Sequence, residues 1–377
     1  MDHIEIHTIQ EFPIHCMNRD MDGTPKSVNI NDSLRGMISS QALKRAWRTV
    51  CKEEMPEYFG GNRTKYITRE VAKAIADVVP EEEMPYFQRI CTDGIKGSHK
   101  DDINKLSTIV FVSNQEMANI ADILRAHKED IGKVQACDIK TSQEFTKEKY
   151  KKLTYKTDPD KRSEAIKAIT QATDTICKDM SDIYLFGRMI AGRDNIESAV
   201  KSSSAFTTHR TVPSINAFIA AEEMHEKDDA GAAHMDYQET NTGCYYMFKS
   251  INLDQLRSEN NIGGVLDDEE FRGVLKCALV CSIMAAPSGM STSYFASTYP
   301  AYILMIRKNG YPKTFGDQFL TPVELGKNCL EESIKRVSDK WNEAKEKFCI
   351  NPKFECTTGM KGDTKIDAAV AGILEGI

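Results

Sequence analysis

Residues 38–48 read ISSQALKRAWR: Lys44, Arg45 and Arg48 follow a pair of serines, and no acid interrupts them. The whole chain of 377 residues carries a net charge of −7, so this is a local excess of cations. Residues 18–52 hold seven Lys and Arg against three Asp and Glu, and residues 140–168 hold nine against five. Ser39 suits the N-cap of a helix over about 40–52. On that helix Ala42, Leu43, Ala46, Trp47 and Val50 form an apolar stripe, and Gln41, Lys44, Arg45, Arg48 and Lys52 fall opposite it. The first turn of a helix presents free backbone N–H groups and the positive end of its dipole, and Ser39 and Ser40 add hydroxyls. Such donors and an ordered row of cations fit successive phosphates of one nucleic-acid strand. The same pattern also describes a solvated helix face.

The preceding loop adds Arg19, Lys26 and Arg35, along with Asp20, Asp22 and Asp32. Clustered carboxylates can hold Mg²⁺ for phosphodiester cleavage, and aspartates are equally common as turn formers. Tyr184, Phe186, Tyr245, Tyr246 and Phe248 sit in apolar runs read as strands. Sheet aromatics of RNA-recognition modules stack bases, while alternation sends about half of any such set to the core. Eleven cysteines are scattered without a CxxC pair, and Cys277 and Cys281 are one helical turn apart in an apolar pattern. They read as reduced core thiols, and no four-ligand zinc cluster is visible, so neither metal nor cofactor is expected. P-loop, GxSxG, HExxH and GxGxxG motifs are absent. There is no apolar run of membrane-spanning length and no signal-peptide pattern at the start, which gives a cytoplasmic expectation with no membrane partner.

The elements that must position these groups read as strand 3–9, helix 40–52, strand 182–189, strand 244–252, helix 267–286 and strand 301–307. Helix patterns also occur near 67–79, 114–127, 163–179, 195–206 and 321–347, and a short apolar strand-like run at 106–112. With the inserts set aside, the order is βαββαβ, an α+β ferredoxin-like unit of the kind RNA-recognition modules use. The expected organisation is a palm begun by 1–52, a helical insert over 53–181, a palm strand at 182–190, a long excursion over 191–242, and the rest of the palm with a C-terminal helix over 243–377. An excursion of that length is far beyond an ordinary hairpin loop, which points to a functional element.

Five segments carry a family resemblance: MNRD (17–20) with ISSQALKRAWR (38–48), DIYLFGRM (182–189), TTH (207–209), GAAHMDYQETNTGCYYMFKSINLDQL (231–256) and SYFASTYPAYILMI (293–306). In this order they resemble the CasC family, the crRNA-binding backbone subunit of the type I-E CRISPR Cascade complex. The resemblance spans most of the chain and is weakest over 53–180 and after 350. It implies a right-hand shape, with an RNA-recognition-like palm, helical fingers and a thumb between the central strands. It further implies a non-catalytic scaffold whose copies stack along one CRISPR RNA beside other Cascade subunits. Each thumb would kink the guide, leaving short segments free to pair with target DNA. Base pairing then supplies specificity, and the protein needs only the RNA backbone.

By motif position the resemblance places Arg19, Lys26, Ser39, Ser40, Gln41, Lys44, Arg45, Arg48 and Arg188 at the RNA, with Met189 as a wedge against its bases. In the thumb segment SINAFIAAEEM the family's Trp-Phe pair is Ala217-Phe218 here. Phe218 can still wedge between bases, Ala217 cannot stack, and Met235 is the expected substitute. Lys147, Lys149, Lys151 and Lys152 in the fingers are the implied target-DNA contacts. The competing reading is a metal-dependent ribonuclease of a related CRISPR backbone family, using Asp20, Asp22 or Asp32. A third is a free-standing RNA-recognition protein that forms a 1:1 complex.

Overall fold

A computed structural model of the chain describes residues 1–99, 102–131, 159–190, 194–221, 232–326 and 328–377. It begins with β1 (Asp2–His15), the hairpin β2 (Ser27–Ile30) and β3 (Ser33–Ile38), and helix α1 (Ser40–Glu54). There follow β4 (Asn62–Thr64), α2 (Ile67–Ala74), α3 (Met84–Gly94), β5 (Val110–Val112), α4 (Asn114–Ala126), α5 (Pro159–Asp174) and α6 (Ser181–Phe186). Next come β6 (Val200–Ser202), β7 (Ala205–Thr207), β8 (Ser214–Ala221), β9 (Ala232–Asn252) and α7 (Asp268–Met284). The chain closes with β10 (Tyr302–Asn309), α8 (Cys329–Lys347), β11 (Phe354–Thr358) and α9 (Ile366–Ile373). Two compact units result. The first takes in residues 1–53, 200–254 and 275–377, and the second 54–199 and 255–274. Among the described residues no helix is long and apolar enough to cross a membrane.

The first unit is built on one antiparallel sheet in the order β11-β10-β1-β9-β7-β3-β2, with β6 and β8 also paired to β9. Strands β10, β1, β9 and the broken pair β6/β7 stand in the 4-1-3-2 order of a βαββαβ unit, so the α+β ferredoxin-like expectation holds. The sheet is covered on both faces, which explains why β1 and the inner half of β9 are buried almost without alternation. On one face Tyr245 and Met247 pack with Phe12, Ile38 and Leu43 of α1. On the other, Cys244, Tyr246 and Phe248 pack with Phe315, Phe319, Val323 and, from α8, Val337 and Trp341.

Two elements differ from the sequence expectation. The palm strand expected over 182–189 is instead the short helix α6, all six of whose residues are buried. A brief apolar run fits either period, and here Tyr184 N–H donates to Met180 O while Gly187, at φ +81°, ends the helix. The second palm strand is β6/β7, in a serine-containing stretch whose pattern reads as helix. Its strand state comes from pairing, Val200 with Ile251 and Phe206 with Tyr246. Smaller shifts are that β9 starts at Ala232 and α8 at Cys329.

The second unit has its own core, in which Ile67, Val71, Phe87, Ile90, Ile120, Leu124 and Ile169 bring α2, α3, α4 and α5 together. Helix α4 starts from a complete capping box: Ser113 Oγ accepts from Glu116 N–H, and the Glu116 carboxylate accepts from Ser113 N–H at 2.7 Å.

Candidate nucleic-acid interface

Helix α1 forms because Leu43, Trp47 and Cys51 recur at four-residue spacing and are all buried. Its start is fixed by three contacts. Ser39 Oγ accepts from Ala42 N–H at 3.3 Å, Ser39 N–H donates to Asn18 Oδ1 at 2.8 Å, and Ser40 N–H donates to Ser204 Oγ at 3.3 Å. Ser39 is therefore the expected N-cap and is itself buried, while Ser40 is half-buried. Gln41 and Arg45 are exposed, and Lys44, Arg48 and Lys52 are half-buried. No acidic residue lies in the first turn, and among the described residues no carboxylate pairs with Arg45. The face of α1 thus presents exposed Arg45 with half-buried Lys44, Arg48 and Lys52, on a helix whose origin is fixed by hydrogen bonds.

The loop before α1 is folded back on itself. Lys26 N–H donates to Asn18 O at 2.8 Å, and Arg19 bridges Pro25. This leaves Arg19 exposed and Lys26 half-buried. Asp20 accepts from Thr24 Oγ1 at 2.7 Å and from the Asp22 and Thr24 N–H groups at 3.0 Å. The Thr24 hydroxyl and these amides hold its carboxyl below the ordinary value. Asp32 and Asn31, at φ +58° and +45°, form the two-residue turn between β2 and β3. Both aspartates thus act in turns. The one group of three metal-ligating side chains among the described residues is Cys51, Cys277 and Cys281, which includes no loop aspartate.

Two cations belong to the structure and not to this surface. Arg35 is fully buried, and its guanidinium donates to Thr207 O at 2.8 Å and to Phe319 O at 2.9 Å. Arg188 was expected at the RNA, but its side chain is 8% exposed. It pairs with buried Glu116 at 2.5 Å and donates to Thr173 O at 3.0 Å. Inside the second unit it ties α4 to α5, so its guanidinium already has protein partners. Its neighbour Met189 is 79% exposed.

The five sheet and helix aromatics are all buried. Because α8 and residues 315–323 cover the face that an RNA-recognition module leaves open, base stacking on this sheet is closed off. Phe295, Tyr299, Tyr311 and Phe348 are exposed outside the sheet, and two further exposed aromatics lie on the hairpin β8/β9. Phe218 is 42% exposed and pairs with Asp236, and Ala217 pairs with Tyr237, which is 66% exposed. Tyr237 therefore stands across from the alanine, on the same hairpin face. Sequence reasoning missed it because only the register brings it opposite Ala217. Met235 lies opposite Ile219 in β9, and its side chain is outside the described residues. Lys147, Lys149, Lys151 and Lys152 likewise lie outside the described residues.

Residues 4–372 match the family described as CT1975-like protein. No curated relative matches the sequence. The fold is similar to that of a chain in a structure titled "CRISPR RNA-guided surveillance complex, pre-nicking", with TM-score 0.82 and 23% identity over 98% of this chain and all of that one. A chain from a second "CRISPR RNA-guided surveillance complex" aligns over the full length of both, with TM-score 0.71 and 18% identity.

Proposed function

Since the chain belongs to the CT1975-like protein family, we propose that it is a non-catalytic scaffold that binds CRISPR RNA within a Cascade-type surveillance complex of type I-E. Copies stack along one guide, contact neighbouring subunits, and kink the RNA at intervals so that it pairs with target DNA. The observation that carries this reading is the cationic face of α1, held at a capped origin with no acid in its first turn, on a molecule whose sheet aromatics are buried. A surface that contacts phosphates and not bases suits a protein that must accept any guide sequence. The β8/β9 hairpin, with Phe218 and Tyr237 exposed, is suited to wedge between bases at each kink. A ribonuclease reading gains no support from Asp20 and Asp32, whose backbone and side-chain geometry is that of turns.

Co-expression with a repeat–spacer transcript, followed by ribonuclease digestion and sizing of the protected RNA, tests the proposal. An evenly spaced ladder of fragments is expected. A single short footprint overturns the stacking scaffold in favour of a free-standing module, and Mg²⁺-dependent cutting of a complementary RNA overturns the non-catalytic role.

A further inference from the structure

Helices α1 and α7 meet, within the first unit, at sulfur. Cys51 lies two turns beyond Leu43 on the buried side of α1, and Cys277 and Cys281 lie one turn apart on α7. Their three Sγ atoms are all within 4.8 Å of one another, and Cys277 and Cys281 Sγ are 3.7 Å apart. That is far from the ~2.05 Å of a disulfide. It is close to the separation of thiolates sharing one ion: at a metal–sulfur distance of about 2.3 Å, the sulfurs of a trigonal site lie roughly 4.0 Å apart. Cys51 and Cys281 are buried, and Cys277 is half-buried, which opens one side of the group to solvent. Lys249, itself buried, reaches the same two helices. Its Nζ donates to Ser282 O, next to Cys281, and lies 5.7 Å from the ring of Trp47, one turn before Cys51.

We infer that Cys51, Cys277 and Cys281 form a three-thiolate site for a soft monovalent ion, Cu(I). Thiolates favour Cu(I), Zn²⁺ and iron–sulfur clusters, and of these Cu(I) is the one whose trigonal coordination three sulfurs complete. Among the described residues no fourth His, Cys, Asp or Glu joins the group, whereas Zn²⁺ in structural sites takes four ligands. On binding, three S–H protons leave to solvent and three S–Cu bonds form with no change of oxidation state. The bound centre carries two net negative charges, and the ammonium of Lys249, which reaches the same two helices, offsets part of them. The ion would clamp α1, the helix that carries the cationic row, onto α7.

The test is anaerobic titration of the reduced full-length protein with Cu(I)–bicinchoninate. Expected are transfer of about one equivalent of copper, loss of three titratable thiols, a rise in Tm and an X-ray absorption spectrum with a shell of three sulfurs. Cys277→Ser, at the half-exposed position, should abolish transfer while leaving the circular dichroism spectrum unchanged. No transfer to the wild-type protein overturns the proposal. So does a wild-type shell of two sulfurs or of nitrogen and oxygen, a reading that does not depend on any variant folding. Transfer that persists in a folded C277S variant assigns the copper to other thiols, and Zn²⁺ binding without Cu(I) transfer overturns the choice of ion.

Discussion

Arg45 and Arg188 both sit in segments that resemble RNA-contacting motifs, and the fold gives them opposite roles. Arg45 is exposed on α1 in a stretch without acids. The Arg188 side chain is packed against Glu116, 2.5 Å away, the buried carboxylate of the α4 capping box. A guanidinium meets phosphate only where no carboxylate has claimed it first, and low dielectric makes a buried pair hard to part. Lys249 is a third case, buried against the Ser282 carbonyl and the indole ring of Trp47. Burial pushes its ammonium down to about 8.

Substituting Arg188→Ala is the strongest way to break this contrast. Glu116 would be left buried and unpaired, so a loss of about 3–5 kcal/mol is expected in denaturant unfolding. RNA affinity per folded molecule should not change. Unchanged stability with weakened RNA binding would reverse the roles assigned to Arg45 and Arg188.

Lys249 gives the next largest effect. Its folded-state value of about 8 lies below its ordinary 10.5, so between these values the unfolded chain binds more protons. Stability therefore rises with pH through that window, by roughly 3 kcal/mol in all, and the same amount is missing below pH 8. Lys249→Met should flatten this rise and raise Tm at neutral pH. A wild-type stability that falls between pH 8 and 10.5 contradicts the assignment.

On the hairpin, Tyr237→Ala and Phe218→Ala should each weaken guide binding by about 1–3 kcal/mol, the range for losing a base–aromatic stack. Both residues are exposed, so Tm should barely move. If Tyr237→Ala leaves binding intact, the aromatic across from Ala217 is no part of the wedge.

Arg45→Ala is the smallest and most diagnostic change. Stability should stay within about 0.5 kcal/mol, while the slope of log affinity against log salt falls by roughly 0.7 to 0.9, one phosphate contact. An unchanged slope would make this face of α1 ordinary solvated surface.

Helix α1 was legible because three independent local signals agree on it: the cap at Ser39, the four-residue recurrence of Leu43, Trp47 and Cys51, and the cations opposite them. Strand β10, helix α7 and the first half of β1 were legible from the apolar residues of their own segments, whereas β1 runs on to His15 beyond the expected 3–9. Residues 181–207 were not. DIYLF suits a buried helix as well as a buried strand, and VKSSSAFT becomes a strand only because β9 offers it partners. The site divides along the same line. Residue type and spacing along one helix determine which cations share the face of α1, since a helix's geometry is local. Whether Arg188 or Arg35 is available, whether the sheet aromatics see solvent, that Tyr237 stands opposite Ala217, and that Cys51 joins Cys277 and Cys281 were all decided by tertiary structure. Each depends on a partner far away in sequence, and burial, charge pairing and strand register exist only once the chain has closed on itself.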